Sequence, residues 1–528
     1  MGRPFAFRFN DGDRFYIYDV NTNAVMEVDE PLFSVIDRVS LVHGDSGARA
    51  VVDDADGLAL SSEGLTRCLT TIESSYVAHG LFSDRHPATV AFPFTDEDCK
   101  LLYERALRHL VLNVTEDCNL RCDYCKYSGR YLYARTHNSA AMSSEVAHKA
   151  IRFLVERSSY IIDHTSDNLT VGFYGGEPLL NFPVVQSSVT YARSRYPHLR
   201  NRLGFAMTTN LTTGTADAIS FLAEYDFNLL VSVDGPSLIH DRYRVSRGGR
   251  GTFDQVLRNL TLLRSANPGY YDRRVGFSVV LAPPYDLDAV VEFFAQEDLF
   301  RNGSLVVSFV DADYTTFLDR FRDRGALKSE LATQLAALDK RLLDGIIGDP
   351  QSRVTFVLNT FVGKRLQNVV KRSCTQLPVT LFPNGICIPG FQKTFVGPDA
   401  QLYVCEKTGY GIRIGHLDSG YDAAGIKKVV NQYVALCQDR CLNCWAIRFC
   451  NMCFVSVMRG AEVDSRHKAI HCQSFRASAA AALKRYCRAM ERDPGAVQKF
   501  YDQAQVFSAT DLAFRFLRDY KVDAPTAG

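Results

Sequence analysis

The sequence has almost no net charge and no long apolar run. Its 60 lysines and arginines are balanced by 59 acids, which leaves a net charge of +1 over 528 residues. This balance argues against binding to nucleic acid or to an anionic membrane through bulk electrostatics. No uninterrupted apolar stretch approaches the roughly 20 residues that a membrane helix needs. We therefore expect neither nucleic acid nor a membrane as a partner.

A secretory signal is missing as well. Residues 1–10 lack the positive-then-apolar order of a signal peptide, so we expect a cytoplasmic protein. Thiols stay reduced in that compartment, and the 15 cysteines therefore do not indicate a disulfide framework. They are unevenly placed, with three at 118–125 and nine at 374–472. Clustered cysteines in a reducing compartment indicate bound metal.

Composition and periodicity divide the chain into segments. A central part alternates short apolar strands with amphipathic helices, which predicts the α/β class with a parallel sheet in an open or closed barrel. From about 370 to 475 the periodicity fades and cysteine, glycine and proline increase, so metal would have to organise this region. The predicted segments are an N-terminal unit (1–85), a linker (86–107), the strand–helix core (108–345), a cysteine-rich region (346–475) and a helical extension (476–528).

Individual strands and helices are predicted in the N-terminal unit, and individual strands in the strand–helix core. The N-terminal unit, with three strands and two helices, resembles a small winged-helix unit. Its predicted strands and helices are Phe5–Phe9, Arg14–Asp19, Ala24–Val28, Pro31–Val42 and Glu63–His79. The predicted core strands are Leu110–Val114, Leu169–Tyr174, Leu203–Thr208, Asn228–Val233, Val275–Val280 and Gly303–Phe309, which corresponds to a partial (β/α)6 barrel of the TIM type.

The first cysteine group follows the first core strand, at the end where active sites of such folds lie. Cys118, Cys122 and Cys125 have C-x3-C-x2-C spacing. Three thiolates can hold three irons of a four-iron cluster, and the fourth iron keeps an open position. S-adenosylmethionine (SAM) can occupy it through its amine and carboxylate, and one-electron reduction then gives a 5′-deoxyadenosyl radical. The alternatives are a zinc site or three buried free cysteines.

This spacing, with Tyr124 before the last cysteine, resembles the fingerprint of the radical SAM superfamily. A second motif supports the resemblance. Gly175, Gly176, Glu177 and Pro178 follow the second core strand. Glycines there let the backbone approach a ligand closely, and the resemblance implies that this motif binds the amino group of SAM. The alternative is an ordinary turn between a strand and a helix.

Polar residues also end the third and fourth core strands. Thr208 and Asn210 end the third, and Ser232 and Asp234 end the fourth. Both segments resemble those that line the SAM ribose and the substrate pocket in the superfamily, although such residues can equally cap helices. Arg244 is a candidate partner for the SAM carboxylate, with a surface salt bridge as the alternative.

The second cysteine group resembles the SPASM extension of radical SAM peptide maturases, which holds two auxiliary four-iron clusters. The resemblance implies three [4Fe-4S] clusters in all. Its implied outer ligands are Cys441, Cys444, Cys450 and Cys472, and its implied inner ligands are Cys387, Cys405 and Cys453, with Cys374 as the candidate fourth. The sequence departs from the usual pattern at the last pair, which is one residue closer, and at Ala400, where glycine is usual. A pair of zinc sites is the alternative, since C-x2-C pairs are also zinc-ribbon spacing.

Four segments of the chain, Tyr18–Asp29, Ile388–Gly390, Cys405–Lys407 and Cys444–Ala446, resemble maturases that form thioethers in ribosomally made cysteine-rich peptides. That resemblance implies a precursor peptide as partner, a winged-helix unit that binds its leader, and a reductant such as flavodoxin or ferredoxin. It also implies that Glu406, directly after Cys405, accepts a proton, whereas the alternative is a solvated glutamate. Other possibilities are C–C or C–O crosslinking, epimerisation, sulfatase maturation, or a non-enzymatic electron carrier or regulator.

Overall fold

The computed structural model describes residues 2–44, 47–53, 58, 60–383, 387–502, 513 and 516–518. Most of the predicted extension beyond 502 therefore lies outside the described residues. The first three strands are β1 (Ala6–Asp11), β2 (Arg14–Asp19) and β3 (Ala24–Val28), which form an antiparallel sheet in the order β1-β2-β3. The three predicted N-terminal strands are confirmed, and β3 lies at one edge of their sheet.

The predicted helix Pro31–Val42 is wrong. Helix α1 (Glu30–Val35) ends early, and the chain continues as strand β4 (Val39–Gly44), which pairs antiparallel with β5 (Gly47–Val52). Val39 and Leu41, two positions apart, are fully buried, whereas Val42 is 40% exposed. Branched valines fit a half-buried pleated surface better than a helix, and this preference decides the local structure.

The N-terminal unit is completed by helix α2 (Ser62–His79), as predicted. The predicted linker contains regular structure as well. Strand β6 (Thr89–Val90) pairs in parallel with β13 (Thr380–Leu381), and helix α3 (Asp96–Arg105) begins at a capping box between Thr95 and Asp98. The capping box satisfies two of the backbone N–H groups that a helix start leaves unpaired.

All six predicted core strands are confirmed. They are β7 (His109–Thr115), β8 (Leu169–Gly175), β9 (Leu203–Thr209), β10 (Asn228–Ser232), β11 (Val275–Leu281) and β12 (Leu305–Phe309). They pair in parallel in chain order. The helices of this part are α4 (Ser144–Glu156), α5 (Ser159–His164), α6 (Phe182–Arg195), α7 (Ala216–Glu224), α8 (Ser237–His240), α9 (Phe253–Ala266), α10 (Pro268–Arg274), α11 (Leu287–Gln296) and α12 (Arg324–Gly348).

The parallel sheet is open and curved. A cavity of about 490 Å³ is lined both by His109 on β7 and by Gly276 on β11, four strands away. A flat sheet could not place both strands around one cavity, so the sheet curves into a partial barrel. Large apolar side chains, such as Phe173, Phe205 and Phe277, are fully buried in its core.

The sheet continues into the cysteine-rich region. Strand β14 (Lys393–Val396) pairs in parallel with β7, and β15 (Gln401–Tyr403), β16 (Arg413–His416) and β17 (Gly420–Tyr421) follow antiparallel. A ten-stranded sheet therefore crosses the predicted boundary at 345/346. A short hairpin of β18 (Met458–Arg459) and β19 (Glu462–Val463) lies further along.

Helices are also more extensive after residue 346 than the sequence predicts. They are α13 (Arg353–Leu358), α14 (Lys364–Val370), α15 (Ala423–Cys441), α16 (Ser465–Arg492) and α17 (Pro494–Tyr501). The periodicity does not fade throughout 370–475, because α15 has a buried stripe of Ile426, Val430, Tyr433, Val434 and Cys437. This spacing is that of one helix face.

The N-terminal unit packs against the cysteine-rich region. The ring of Phe7 on β1 stacks on Trp445 at 3.7 Å between centroids. Arg448 donates hydrogen bonds of 2.7 Å to the carbonyls of Val20 and Asn21. These contacts fix the small sheet next to the second cysteine group. Within the described ranges, no helix is both long and apolar enough to cross a membrane.

Candidate active site

The first cysteine loop leaves the carboxyl end of β7. Backbone N–H groups point at two of its thiols, from Leu120 to Cys118 Sγ and from Tyr127 to Cys125 Sγ, both at 3.4 Å. Burial raises the pKa of Cys118 and Cys122 to about 12 and that of Cys125 to about 11. The metal-free thiols therefore keep their protons, while the N–H donors are placed to stabilise thiolates once a metal replaces those protons.

Two glycines allow the end of β8 to lie against this loop. A Cβ on Gly175 would lie 2.1 Å from the carbonyl oxygen of Thr115, and one on Gly176 would lie 2.1 Å from that of Asp117. Gly175 also has a φ of +142°, which side chains disfavour. These glycines therefore let the end of β8 approach the start of the cysteine loop closely. This contact holds the loop in register with β8.

Glu177 is fully buried at the end of the same strand. Its carboxylate accepts hydrogen bonds from the Thr209 hydroxyl (2.6 Å) and from the N–H groups of Asn210 (2.7 Å) and Leu179 (3.1 Å). Burial nevertheless raises its pKa. A carboxylate has about four acceptor positions, so one remains for a cationic amine after these three bonds.

Asn210 connects the third strand to the cysteine loop. Its amide nitrogen lies 3.0 Å from Asn119 Oδ1 and 3.8 Å from Cys118 Sγ. The neighbouring predicted residue Thr208 instead faces the barrel cavity, with His109 on the other wall. Of the predicted pair, the structure brings Asn210 to the thiols, and Thr209 rather than Thr208 to Glu177.

The fourth strand ends at a buried ion pair. Arg244 Nε lies 3.0 Å from Asp234 Oδ2, and both side chains are less than 10% exposed. Asp234 also accepts the Tyr124 hydroxyl and the Val280 N–H. The salt bridge given as the alternative role of Arg244 is therefore formed, but it is buried rather than on the surface, and it anchors the cysteine loop through Tyr124. Ser232, the last residue of β10, is 9% exposed just before it.

The residues around the first loop fit the group that the sequence predicts. Three thiols, of one buried and two half-buried cysteines, lie on one short loop, and N–H donors point at the sulfur of two of them. A carboxylate with an unused acceptor position and a buried arginine lie at neighbouring strand ends, and Pro178 begins the turn that follows. Cys118, Cys122 and Cys125 would hold the cluster, and the strand ends would hold SAM.

The second cysteine group forms two sets in space. Besides burial, the charges of Cys441, Cys444 and Cys472 raise the pKa of Cys450. The pKa of Cys387 is likewise raised by burial and by the charges of Cys405 and Cys453. These are the outer and inner sets that the resemblance implies. They come from distant parts of the chain, including the end of β15, the end of α15 and the second turn of α16.

Cys374, the candidate fourth inner ligand, lies elsewhere. Its thiol is exposed and is 3.9 Å from the carbonyl oxygen of Asn23 in the N-terminal unit. The structure instead brings Cys437, one turn before Cys441 on α15, into contact with the outer set. The hydrogen bond from Cys437, together with the ammonium of Lys468, lowers the pKa of Cys441 below its usual value.

Glu406 lies beside the inner set and faces the barrel cavity. Lys393 Nζ donates to its carboxylate at 2.6 Å. Burial alone would raise the pKa of Glu406, but Lys393 lowers it below the ordinary value. Tyr174, on β8, lies close to this glutamate and to thiols of both groups, because, besides burial, the charges of Glu406, Cys125 and Cys405 all raise its pKa.

A family model described as the radical SAM superfamily matches residues 112–294. The chain carries a radical SAM domain. The matched range begins on β7, includes the three loop cysteines and ends on α11, so it contains the strand ends described above. The superfamily resemblance predicted from the C-x3-C-x2-C loop is confirmed.

Relatives of the radical SAM domain include two named enzymes. The cysteine-type anaerobic sulfatase-maturating enzyme of Clostridium novyi is 26% identical over 235 residues, which are 42% of this chain and 59% of that enzyme. The radical SAM cyclopropyl synthase TigE of Paramaledivibacter caminithermalis is 23% identical over 167 residues, which are 30% of this chain and 34% of that enzyme. The chain thus spans between about a third and three fifths of the length of these relatives.

A solved structure shares the overall fold of this chain. The structure of anSMEcpe with bound AdoMet and Kp18Cys peptide has a TM-score of 0.51 at 19% identity. The alignment covers 74% of this chain and 99% of that one. The α/β fold with its large parallel sheet is therefore that of radical SAM enzymes.

Sequence reasoning missed three side chains of this site. Thr209 was passed over for its neighbour, although strand alternation would have shown that only one of the two can face Glu177. Tyr174 was noted only as the last residue of the second predicted core strand. Lys468 carried no signal of its own, except that it lies four residues before Cys472 on a helical face.

Proposed function

We propose that the chain is a radical SAM enzyme that installs Cys-to-carbon thioether crosslinks in a ribosomally made precursor peptide. The observation that carries this proposal is the position of Tyr174. Its side chain lines the barrel cavity together with Glu406, and the charges of Cys125 in the first loop and of Cys405 in the inner set both reach it. Chemistry that begins at the first loop would therefore take place next to a second group of thiols.

The first loop and the strand ends would divide the work of binding. Cys118, Cys122 and Cys125 would hold a [4Fe-4S] cluster, and Glu177 would accept the amine of SAM at its remaining acceptor position. When bound, the cluster and SAM supply a 5′-deoxyadenosyl radical that removes a hydrogen atom from a substrate carbon. The Asp234–Arg244 pair holds the loop in place through Tyr124, so the radical centre is rigid before substrate arrives.

The inner set offers three thiols for an auxiliary cluster. Because Cys374 lies against the N-terminal unit, the fourth position of an inner cluster would be left for a thiolate of the peptide. A cavity of about 140 Å³ lined by Lys126, next to Cys125, and by Cys453 of the inner set gives the peptide a place between the two groups. Closing a C–S bond from C–H and S–H removes one hydrogen atom, one proton and one electron. The deoxyadenosyl radical would take the hydrogen atom, the ionised Glu406 would accept the proton, and the auxiliary cluster of the inner set would take up the electron.

The outer set would hold the third cluster. Its four thiols lie among α15, α16 and the loop between them, next to the ring of Trp445 that packs on β1. The electron for SAM cleavage would come from a flavodoxin or ferredoxin in the cytoplasm, where clusters of this kind are kept reduced.

The N-terminal unit would bind the leader of the precursor. Strand β3 is at the edge of its sheet, and a groove of about 440 Å³ lies between it and α2, lined by Met26, Val28 and Arg67 among others. An extended peptide can pair with such an edge while its side chains enter the groove. Because this unit packs on Trp445, a peptide bound to it would extend toward the cysteine sets.

Anaerobic incubation of the reduced enzyme with SAM and a short cysteine-rich candidate precursor tests the proposal. The expected product has lost two hydrogens for each crosslink, and one of its thiols resists alkylation. If 5′-deoxyadenosine forms but the peptide does not lose the mass of two hydrogens, the thioether proposal is contradicted.

The relatives' names support a second candidate, which changes the bond and keeps the radical centre. A sulfatase-type oxidation or a cyclopropane would need the same loop and strand ends. Oxidation without a blocked thiol, or a crosslink with all thiols free, identifies this candidate in the same mass analysis.

A further inference from the structure

A second kind of metal ligand set lies outside both cysteine groups. His467 and His471 are four residues apart on α16, so both rings emerge on one face of the helix. Their Nε2 atoms lie 2.8 and 2.9 Å from the same oxygen, Oδ1 of Asp313, in the segment after β12. The three ligand atoms lie within 4.8 Å of one another. Two imidazoles and one carboxylate thus converge on a single point.

The surrounding structure holds this arrangement in place. Asp464 caps the helix by accepting the N–H groups of Arg466 and His467. The ring of Tyr314 stacks on His467 at 4.4 Å between centroids. Asp313 is itself fixed, because its N–H donates to the side chain of Asp311 at 2.8 Å. The ligands therefore do not have to be ordered by the ion that they would bind.

The neighbouring face of the same helix belongs to the outer cysteine set. Lys468 Nζ lies 3.6 Å from Cys441 Sγ and 3.9 Å from Cys472 Sγ. Residues 468 and 472 thus face the outer thiols, while His467 and His471 face Asp313. The histidines are therefore on a separate stripe and do not compete for the place of a cysteine ligand.

The set is closed on one side and open on the other. The side chains of His467, His471 and Asp313 are between 15% and 22% exposed. Asp313 and Tyr314 line the same cavity as Cys453. Three protein ligands with a free fourth position are the arrangement of zinc sites that bind water or a substrate group.

We propose that Asp313, His467 and His471 bind one divalent ion of the zinc type, separate from the iron–sulfur clusters. Tetrahedral coordination with bonds of about 2.0–2.2 Å places N and O ligand atoms about 3.4 Å apart. The observed separations are about half an ångström shorter, so side-chain adjustment alone makes room for the ion. The bound ion fastens the segment after β12 to the helix that carries Cys472, and its fourth position opens into the cavity. This site does not depend on the proposed reaction.

Zinc retention by the anaerobically reconstituted full-length protein tests the site. The cysteine sets are filled with iron first, Zn²⁺ is then added, and the protein is dialysed and analysed for zinc and iron. We expect about one zinc per chain with nitrogen and oxygen neighbours at about 2.0–2.1 Å and no sulfur at about 2.3 Å in zinc-edge X-ray absorption. His471→Ala and Asp313→Asn should each weaken zinc binding at least about tenfold.

His416→Ala is the matched control, because His416 also pairs with an aspartate, Asp418, on the surface. It should retain zinc like the parent protein. Equal iron content and circular dichroism in all variants show that the fold is intact. The proposal is overturned if no zinc is retained, if zinc has sulfur neighbours, or if retention is unchanged in His471→Ala and Asp313→Asn. Zinc loss in His416→Ala as well would also overturn it.

Discussion

The two cysteine regions are built in different ways. The first places three thiols on one eight-residue loop, and the loop is held by a parallel sheet that forms without it: by glycines against β7, by Asn210 from β9 and by Asp234 from β10. The second collects its thiols from strand, helix and loop segments that are up to 85 residues apart, between Cys387 and Cys472. Bound metal would be an addition to the first region but a part of the framework in the second.

The largest effect is expected in the first loop. Cys122→Ala should lower the iron content by about four per chain and reduce 5′-deoxyadenosine formation to the level without enzyme, because no open iron remains for SAM. The fold should survive, since the sheet does not need the thiol. Iron analysis and product chromatography measure both effects.

Cys99→Ala is the control for that variant, because Cys99 is a buried core thiol on α3 outside both groups. It should keep both iron and activity. Full 5′-deoxyadenosine formation by Cys122→Ala would contradict the assignment of SAM cleavage to the first loop.

The next effect separates the regions. Cys450→Ala should also lose about four irons, but 5′-deoxyadenosine should still form because the first loop is untouched. Peptide modification should stop, and the melting temperature should fall, since this region relies on its metal. Cys374→Ala, whose thiol lies against Asn23, should keep all its iron. Loss of deoxyadenosine formation in Cys450→Ala would show that the two regions do not act independently.

A buried joint connects the two regions. Arg135, after the first loop, pairs with Glu116 at 3.5 Å, and both side chains are 2% exposed. Its guanidinium lies over the rings of Tyr403 and Tyr410 from the cysteine-rich region. Arg135→Ala leaves the Glu116 carboxylate buried without this positive charge, although Asn113, Asn138 and Tyr410 still donate hydrogen bonds to it. We expect a loss of about 3–5 kcal/mol in unfolding free energy.

Urea unfolding of Arg135→Ala measures this loss. Lys427→Ala is the control, because it breaks the exposed pair with Asp96, and exposed ion pairs contribute little to stability. Similar losses in the two variants would mean that the joint is no stronger than a surface contact.

The smallest expected effect depends on pH. Asp339 on α12 pairs with Arg485 on α16, and burial raises its pKa from 3.8 to about 6. The folded chain therefore holds this proton more tightly than the unfolded one. Its contribution to stability is complete below pH 3.8 and is lost as pH rises through about 6, by at most about 3 kcal/mol.

Asp339→Asn has no carboxyl group to ionise at this position. The stability of the parent protein should therefore fall relative to that of the variant between pH 5 and pH 7. Urea midpoints at the two pH values measure it. Asp344→Asn is matched to it, since it breaks an exposed pair with Arg492 between the same helices and should show no such gain. An equal gain in both variants would contradict the burial argument.

Much of the site could be predicted where the signal is local. The six core strands and the C-x3-C-x2-C loop follow from short-range patterns, because apolar runs and cysteine spacing act within a few residues. The helix predicted at Pro31–Val42 failed since a short apolar run is ambiguous between helix and strand. The candidate role of Cys374 received no support, because spacing along the chain does not report distance in space.

The sequence by itself determined the parallel core, the loop that carries the first three thiols, and the existence of a second cysteine group. Only the tertiary structure decided the rest: the continuation of the sheet through β14, the buried pair of Arg244 with Asp234, the proximity of Tyr174 to both thiol groups, and the meeting of Asp313 with His467 and His471. The physical reason is range. Backbone preference and periodicity act between neighbours in the chain, whereas burial and charge pairing depend on segments that meet only after the sheet has formed.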